Sequence, residues 1–223
     1  MSVEGAMNFD YLLKYIIIGD AAVGKSNLLL RYLHGKFHPE YQLTIGVEFG
    51  AKNVTIKNKI YRIQVWDTAG SEIYRSITRS YYKNSVCALV VYDISSRDSF
   101  NNVSQWIEDC KNNSPKTITM VLVGNKIDLE ERRQITRDEG EELAEKNGIL
   151  FFETSAKDGT NVEDIFLESA KQIADKIDQN YYELDSEACG IKQGFNNSNN
   201  NNNIEINADN NNTNKKKGCC SKK

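Results

Sequence analysis

The sequence predicts an α/β fold: a six-stranded, mostly parallel sheet with one antiparallel strand and helices on both faces. From Tyr11 onward, apolar runs of strand length alternate with amphipathic segments of helical period, which is the pattern of strands whose connecting helices cover the sheet. The run Tyr15-Ile16-Ile17-Ile18 leads directly into Gly19-Asp-Ala-Ala-Val-Gly-Lys25-Ser26, a match to G-x-x-x-x-G-K-[ST] and thus to a strand-to-helix turn that cradles phosphate. Between the second and third strands stands only Lys57-Asn58-Lys59. That is too short for a crossover, so these two strands form a hairpin.

The strands are expected near 11–18, 47–57, 60–66, 86–92, 118–123 and 149–153, and the helices near 25–34, 72–83, 98–112, 137–146 and 161–177. Thr136-x-x-Glu139 and Thr160-x-x-Glu163 read as capping boxes at two helix starts, and Val162, Ile165, Phe166, Ile173 and Ile177 mark one helical face. No internal repeat is visible.

The length, 223 residues with 39% hydrophobic content, suits one domain plus an extra segment. We expect a flexible start over 1–8, a domain over 9–178 and a tail over 179–223. No apolar run reaches the roughly 18 residues that span a bilayer, and no signal pattern opens the chain, so a cytosolic protein is expected. The five cysteines lack the paired spacing of a zinc site or a disulfide framework. Cys87 and Cys110 read as small buried apolar residues. Net charge is −3, yet residues 215–223 hold five lysines and no acid, leaving 23 basic against 31 acidic residues elsewhere. An acidic body argues against nucleic acid as a partner, while the basic tip suits anionic lipid.

The residues of the phosphate loop have separable roles. The glycines let the backbone wrap a phosphate chain, with the amides of Ala22, Val23, Gly24, Lys25 and Ser26 directed inward at a helix N-terminus. Lys25 supplies a point charge for the outer phosphates, and the Ser26 hydroxyl suits a magnesium ion. Asp67, in Val65-Trp66-Asp67-Thr68-Ala69-Gly70 at a strand end, can take the other side of the magnesium shell, and Gly70 lets its amide approach a γ-phosphate. Asn125-Lys126-Ile127-Asp128 follows a further strand. The Asp128 carboxylate can accept from the ring N–H and the exocyclic amine of guanine, a donor pair that adenine lacks, and this selects GTP over ATP. Asn125 would tie the base loop to the phosphate loop, and the Lys126 stem would lie along the ring. In Thr154-Ser155-Ala156-Lys157 the Ala156 amide could donate to the guanine oxygen.

With these four motifs in this order, the chain resembles the Ras superfamily of small GTPases and, within it, the Rab family, over about Phe9 to Ile177. The Rab likeness is carried by Ile45-Gly46-Val47-Glu48-Phe49, Trp66 to Gly70, Tyr81-Tyr82-Lys83-Asn84 and Leu89-Val90-Val91-Tyr92-Asp93. Leu43 to Ala51 and the run from Arg75 to Tyr82 are most similar to the branch serving endoplasmic reticulum, Golgi and endosome traffic. The resemblance implies GTP/GDP and Mg2+ as cofactors and a site made of Ala22 to Ser26, Asn27, Phe37, Thr44, Gly70, Asn125, Lys126, Asp128, Ser155, Ala156 and Lys157. Ser26, Thr44 and Asp67 would hold the metal, and Phe37 would pack on the guanine ring. Residues 36–50 and 67–83 would be two switches ordered by the γ-phosphate. Ile45, Phe49, Trp66 and Tyr81 would form the effector surface. Trp66 also continues the outward face of Arg62 and Gln64, where an apolar side chain has no core to enter.

Ser71 departs from the family, which carries a glutamine there to orient the attacking water; serine is too short for that task. Catalysis would then rest on Lys25, Thr44 and whatever replaces the glutamine at position 71, with slow intrinsic hydrolysis. The alternative is a GTP-locked binding module. A P-loop ATPase or kinase is disfavoured by Asn125 to Asp128.

Between Asn196 and Asn214, 12 of 19 residues are asparagine, a composition unable to bury enough apolar surface to order itself. The adjacent Cys219 and Cys220 resemble the double geranylgeranylation signal of Rabs, and two lipid chains are what stable anchoring needs. As a coil, the stretch from Gln179 to Cys219 would reach about 35 Å. The implied partners are an exchange factor, a GTPase-activating protein, an escort protein with a prenyltransferase, a lipid-extracting inhibitor and GTP-dependent effectors. The protein is expected to be a monomer on the cytoplasmic face of Golgi, endoplasmic reticulum or endosomal membranes, with a cytosolic pool.

Overall fold

The computed structural model describes residues 9–39, 44, 46–70 and 80–194. In chain order these form β1 (Tyr11–Ile18), α1 (Lys25–His34), β2 (Val47–Ile56), β3 (Lys59–Thr68), β4 (Cys87–Asp93), α2 (Arg97–Asn101) and α3 (Val103–Asn113). There follow β5 (Thr119–Asn125), a 3-10 turn (Ile127–Arg132), α4 (Arg137–Asn147), β6 (Leu150–Thr154), α5 (Val162–Asp178), a second 3-10 turn (Glu187–Cys189) and β7 (Ile191–Gln193).

The sheet runs β2-β3-β1-β4-β5-β6, with β7 beside β1. β1, β3, β4, β5 and β6 are mutually parallel, whereas β2 pairs antiparallel with β3. Every residue of β4 and β5 is buried, as expected for central parallel strands covered on both faces. Lys57 and Asn58 join β2 to β3 with φ of 49° and 63°, the two positive values of a tight hairpin turn whose twist matches its strands.

Two cores flank the sheet. On one side α1 and α5 pack over Leu13, Tyr15, Ile17 and Ile63, with Tyr32 of α1 stacked on Phe166 of α5 at 3.7 Å between ring centroids. On the other, Trp106, Ile107 and Cys110 of α3 and Ala144 of α4 close over Ile16, Ile18, Val90 and Leu122. The face predicted for α5 is the one that is buried: Val162, Ile165, Phe166, Ile173 and Ile177 all lie inside.

The structure departs from the sequence reading at three places. The helix expected over 98–112 is two helices that meet at Asn102, the C-cap of one and the N-cap of the next. The capping box at Thr136 and Glu139 is present in both directions, but the one at Thr160 is not. Asn161, in the left-handed region, is the N-cap of α5, because the Thr160 hydroxyl is bound to Asp158 and Glu163 is drawn off by Lys52 at 2.6 Å. The helix expected over 72–83 lies largely outside the described residues, and residues 80–82 are helical.

The third departure concerns the domain boundary. The chain does not leave the domain at 179. It turns back, buries Tyr182, Cys189 and Ile191, and adds β7 antiparallel to Tyr11–Leu13. β4 pairs with β1 only from Tyr15 onward, so the first half of β1 would otherwise present an unpaired edge inside the sheet. Gly190, at φ +75°, allows this close approach: a Cβ there would lie 2.4 Å from the Val86 nitrogen. The sheet therefore has a seventh strand. Cys219 and Cys220 lie outside the described residues, as does the asparagine tract.

Candidate nucleotide-binding site

The last residues of β1, β3, β4, β5 and β6 share one end of the sheet, and the loops leaving β1, β3, β5 and β6 line a cleft of about 370 Å3. Ligand crevices form at this end of parallel sheets, where strand order reverses. Both glycines of the phosphate loop are sterically required. A Cβ on Gly19 (φ +140°) would lie 2.2 Å from the Val91 carbonyl oxygen, and one on Gly24 (φ +99°) would lie 2.4 Å from Asn125 Nδ2. Ala22, at φ 65°, shares the left-handed region with Gly24, and a backbone of this kind gathers amides into an anion-binding concavity. The first bond of α1 runs from Leu28 N to Gly24 O, so the amides before Leu28 have no helical carbonyl to meet and remain for a phosphate.

Lys25 is buried and donates to the carbonyls of Gly19 at 2.9 Å and Asp20 at 2.7 Å. Desolvation pulls its pKa down to about 8 against the pull of Asp67 and Asp20. A buried cation whose hydrogen-bond partners are two carbonyls can take an anion as a further partner.

The three residues assigned to the metal converge. Ser26 Oγ donates to Asp67 Oδ2 at 2.5 Å and lies 2.8 Å from Thr44 Oγ1, which is itself 3.5 Å from the same carboxylate. Asp67 is fully buried, and its Oδ1 has no hydrogen-bond partner. Burial raises its pKa to about 6, although Lys25 and Ser26 act to lower it. Two hydroxyls and a buried carboxylate with an unused oxygen fit a hard cation that keeps most of its own waters. Mg2+ bound there would supply charge neutralisation to the phosphate oxygens. Gly70 lies against the phosphate loop, where a Cβ would sit 2.4 Å from Ala21 N. Only glycine permits that approach.

At the other side of the cleft, Asn125 spans two loops. Its Nδ2 donates to Val23 O at 2.9 Å, while its Oδ1 accepts from Thr154 Oγ1 at 3.1 Å and from the Ala156 amide at 3.2 Å. The tie from base loop to phosphate loop is thus as predicted, whereas the Ala156 amide, expected to face guanine, is engaged with Asn125. Lys126, at φ 71°, extends to Ala22 O at 2.7 Å and is held by Asp93 at 2.7 Å. The Asp128 carboxylate accepts from Ser155 Oγ at 2.7 Å and lies 3.6 Å from Lys157 Nζ. It is therefore oriented and partly compensated. Phe37 and Asn27 also line the cleft, and Asn27 exchanges two 2.9 Å hydrogen bonds with the backbone of His38.

Three contributors escaped the sequence reading. Asp20, inside the phosphate loop, accepts from Trp106 Nε1 at 2.8 Å and Asn102 Nδ2 at 2.7 Å. Arg31 of α1 donates to Ala156 O at 2.8 Å and to Lys157 O, tying α1 to the base loop. Asp93 fixes Lys126. No motif signals these, because each works through a partner distant in sequence. Ser71 and Ile45 lie outside the described residues. Phe49, Trp66 and Tyr81 adjoin, with ring centroids 4.8 and 5.2 Å apart in succession. Phe49 is 51% exposed, whereas Trp66, expected to have no core to enter, is like Tyr81 partly buried against the core under α3.

The fold and the cleft define a nucleotide-binding α/β protein with a phosphate loop, a hard-cation site and a separate base pocket. The model of the Ras family matches residues 14–175, and the chain belongs to that family. It is accordingly a small GTPase that binds guanine nucleotide, typically with Mg2+, and works as a switch with exchange factors, activating proteins and effectors.

Proposed function

We propose that the protein is a membrane-anchored GTP/GDP switch of the Rab type that regulates vesicle-mediated transport. The observation that carries this reading is the contiguous cluster of Phe49, Trp66 and Tyr81, presented on β2, β3 and the segment before β4. Phe49 and Trp66 face each other across the β2–β3 pair, two residues from Val47 and Thr68 at its end, and Trp66 precedes Asp67 in the chain. An effector seated on these rings would read the ligand state directly, and large aromatic side chains are the favoured anchors of such contacts. Cys219 and Cys220, with the five lysines around them, supply two lipid sites and a basic patch, which together suit stable attachment. The protein would act as a monomer on the cytoplasmic face of Golgi, endoplasmic reticulum or endosomal membranes, with a cytosolic pool. Its partners would be an exchange factor, an activating protein, the escort and prenyltransferase, a lipid-extracting inhibitor and GTP-dependent effectors.

Ser71 favours a second reading, a GTP-locked effector-binding module with negligible turnover. The first reading has slow intrinsic hydrolysis that an activating protein restores. Mass spectrometry of the protein from its own cell tests the main proposal: bound guanine nucleotide and two prenyl groups on Cys219 and Cys220 are expected. Replacing both cysteines by serine should leave nucleotide bound and remove the protein from the membrane fraction. A double variant that stays on membranes would sink the anchoring role.

A further inference from the structure

The first residues of the parallel strands lie at the end of the sheet opposite the nucleotide cleft. A second cavity, of about 340 Å3, opens at that end, where Thr119 and Leu150 begin β5 and β6 and Asn147 ends α4. Lys176 of α5 lines it, donates to Thr119 Oγ1 at 3.0 Å, and has its pKa lowered by burial. Lys111, in the last turn of α3, donates to Asn147 Oδ1 at 3.0 Å. Lys116 is exposed on the turn that leads through Ile118 into β5.

Among the described residues, none of these three ammonium groups has a carboxylate within ion-pair distance. Asp175 and Asp178 on α5 are already taken by Lys57 and Lys59. Besides the Thr119 hydroxyl, Lys176 Nζ has the Tyr181 ring at 5.6 Å from its centroid, and a half-buried cation without a carboxylate partner is stabilised by an anion that can reach it.

The chain also leaves the domain at this end. β7 pairs with the first residues of β1, and the Gly194 amide donates to Asp10 O at 2.8 Å. The 24 residues 195–218 then lead to Cys219, a reach of about 27 Å if they behave as a coil. Lipid on Cys219 and Cys220 would therefore hold this end of the domain, and not the cleft, toward the bilayer.

We propose that this end is a contact surface for a bilayer carrying anionic lipids, with a headgroup phosphate entering the cavity against Lys176 and Thr119 while Lys111 and Lys116 lie at its rim. The inference rests on the tether reading of the tail, but its test does not require lipidation. Unlipidated full-length protein is sedimented with phosphatidylcholine vesicles with and without phosphatidylserine. Each lysine near an anionic surface contributes about fivefold to partitioning. Lys116→Gln/Lys176→Gln should then bind the anionic vesicles about 25-fold more weakly, whereas Arg132→Gln/Arg137→Gln, an equal charge change at the opposite end, should bind as the natural chain does. Retained guanine nucleotide reports folding. Should Lys176→Gln not fold, Lys116→Gln alone is expected to lose about fivefold.

Equal losses in both double variants would reduce the effect to net charge, and no loss would assign binding to the tail lysines. Release by inorganic phosphate at matched ionic strength would make the cavity a soluble-anion site. Each of these results overturns the proposal. Absence of lipid on Cys219 and Cys220 in the cell would instead defeat the anchoring reading and leave this vesicle result standing.

Discussion

The indole N–H of Trp106 in α3 donates to the carboxylate of Asp20 in the phosphate loop at 2.8 Å, and Trp106 is 2% exposed. Asn102, where α2 and α3 meet, donates to the other oxygen of that carboxylate at 2.7 Å. The loop is thus held from outside the nucleotide cleft by a helix that lines none of it. Trp106→Phe keeps the ring in the core but leaves Asp20 with one donor, a loss of about 1.5–3 kcal/mol for a hydrogen bond to a charged group. We expect release of a fluorescent GDP analogue to quicken by about tenfold, roughly 1.4 kcal/mol, with a parallel fall in urea midpoint. Unchanged release would show that the loop holds its shape without this anchor.

Asp128 is oriented by Ser155 and Lys157, so its carboxylate is presented as an acceptor on both oxygens. Asp128→Asn replaces one acceptor by a donor. Guanine binding should weaken by about a hundredfold, equivalent to losing about 2.7 kcal/mol from two charge-assisted hydrogen bonds. Xanthine, which offers an acceptor where guanine has its amine, should be tolerated better. Competition of GTP and xanthosine triphosphate for the variant measures this, and an unaltered preference for GTP would refute the assignment.

Glu139 illustrates a pH effect whose sign follows from its partners. Arg97 donates to it at 2.7 and 3.2 Å, the Thr136 backbone adds a further hydrogen bond, and together they lower its pKa from 4.5 to about 2. A carboxylate depressed in the folded state contributes stability that is fully present above 4.5 and is lost as the pH falls toward 2. Glu139→Gln should flatten this part of the acid limb, with little change in its slope at neutral pH. Stability measured by urea titration at a series of pH values checks it; an acid limb unchanged in the variant would place the dependence on other groups.

Ile191 is 1% exposed on β7 and faces the core beside Leu13. Burial of a large aliphatic side chain predicts a cost of about 2 kcal/mol or more for Ile191→Ala, whereas a residue on an undocked tail would cost almost nothing. Urea denaturation separates the two outcomes.

The same strand shows where sequence reading stops. Four of the six longer strands were legible from runs of consecutive apolar residues, β3 from the alternation of Tyr61, Ile63 and Val65, and β2 from the short turn that joins it to β3. The four sequence motifs of the cleft were legible because their residues stand side by side. β7 has three residues, of which only Ile191 is apolar. Its position depends on a vacancy beside Tyr11–Leu13 that exists only once β4 starts opposite Tyr15. Asp20 with Trp106 and Arg31 with Ala156 are separated by 86 and 125 residues, and no local pattern encodes such pairs. At Thr160 the local signal was outcompeted: Asp158 captured the hydroxyl and Lys52 captured Glu163.

Ser71 follows the glycine that fits against the phosphate loop. Gly70 comes so close to Ala21 and Asp20 that a Cβ would lie 2.4 Å from their backbone. Serine there is too short to orient a water as a glutamine would. If water positioning is what the chain lacks, Ser71→Gln should raise single-turnover GTP hydrolysis without an activating protein by about tenfold, or roughly 1.4 kcal/mol of barrier. Nucleotide affinity should stay nearly constant, because Lys25, Ser26 and Asp128 hold the ground state from the other walls of the cleft. An activating protein that brings its own glutamine should narrow the difference between variant and natural chain. If such a partner accelerates the variant and leaves the natural chain inert, the GTP-locked module is the better description. A variant no faster than the natural chain would mean that another group positions the water.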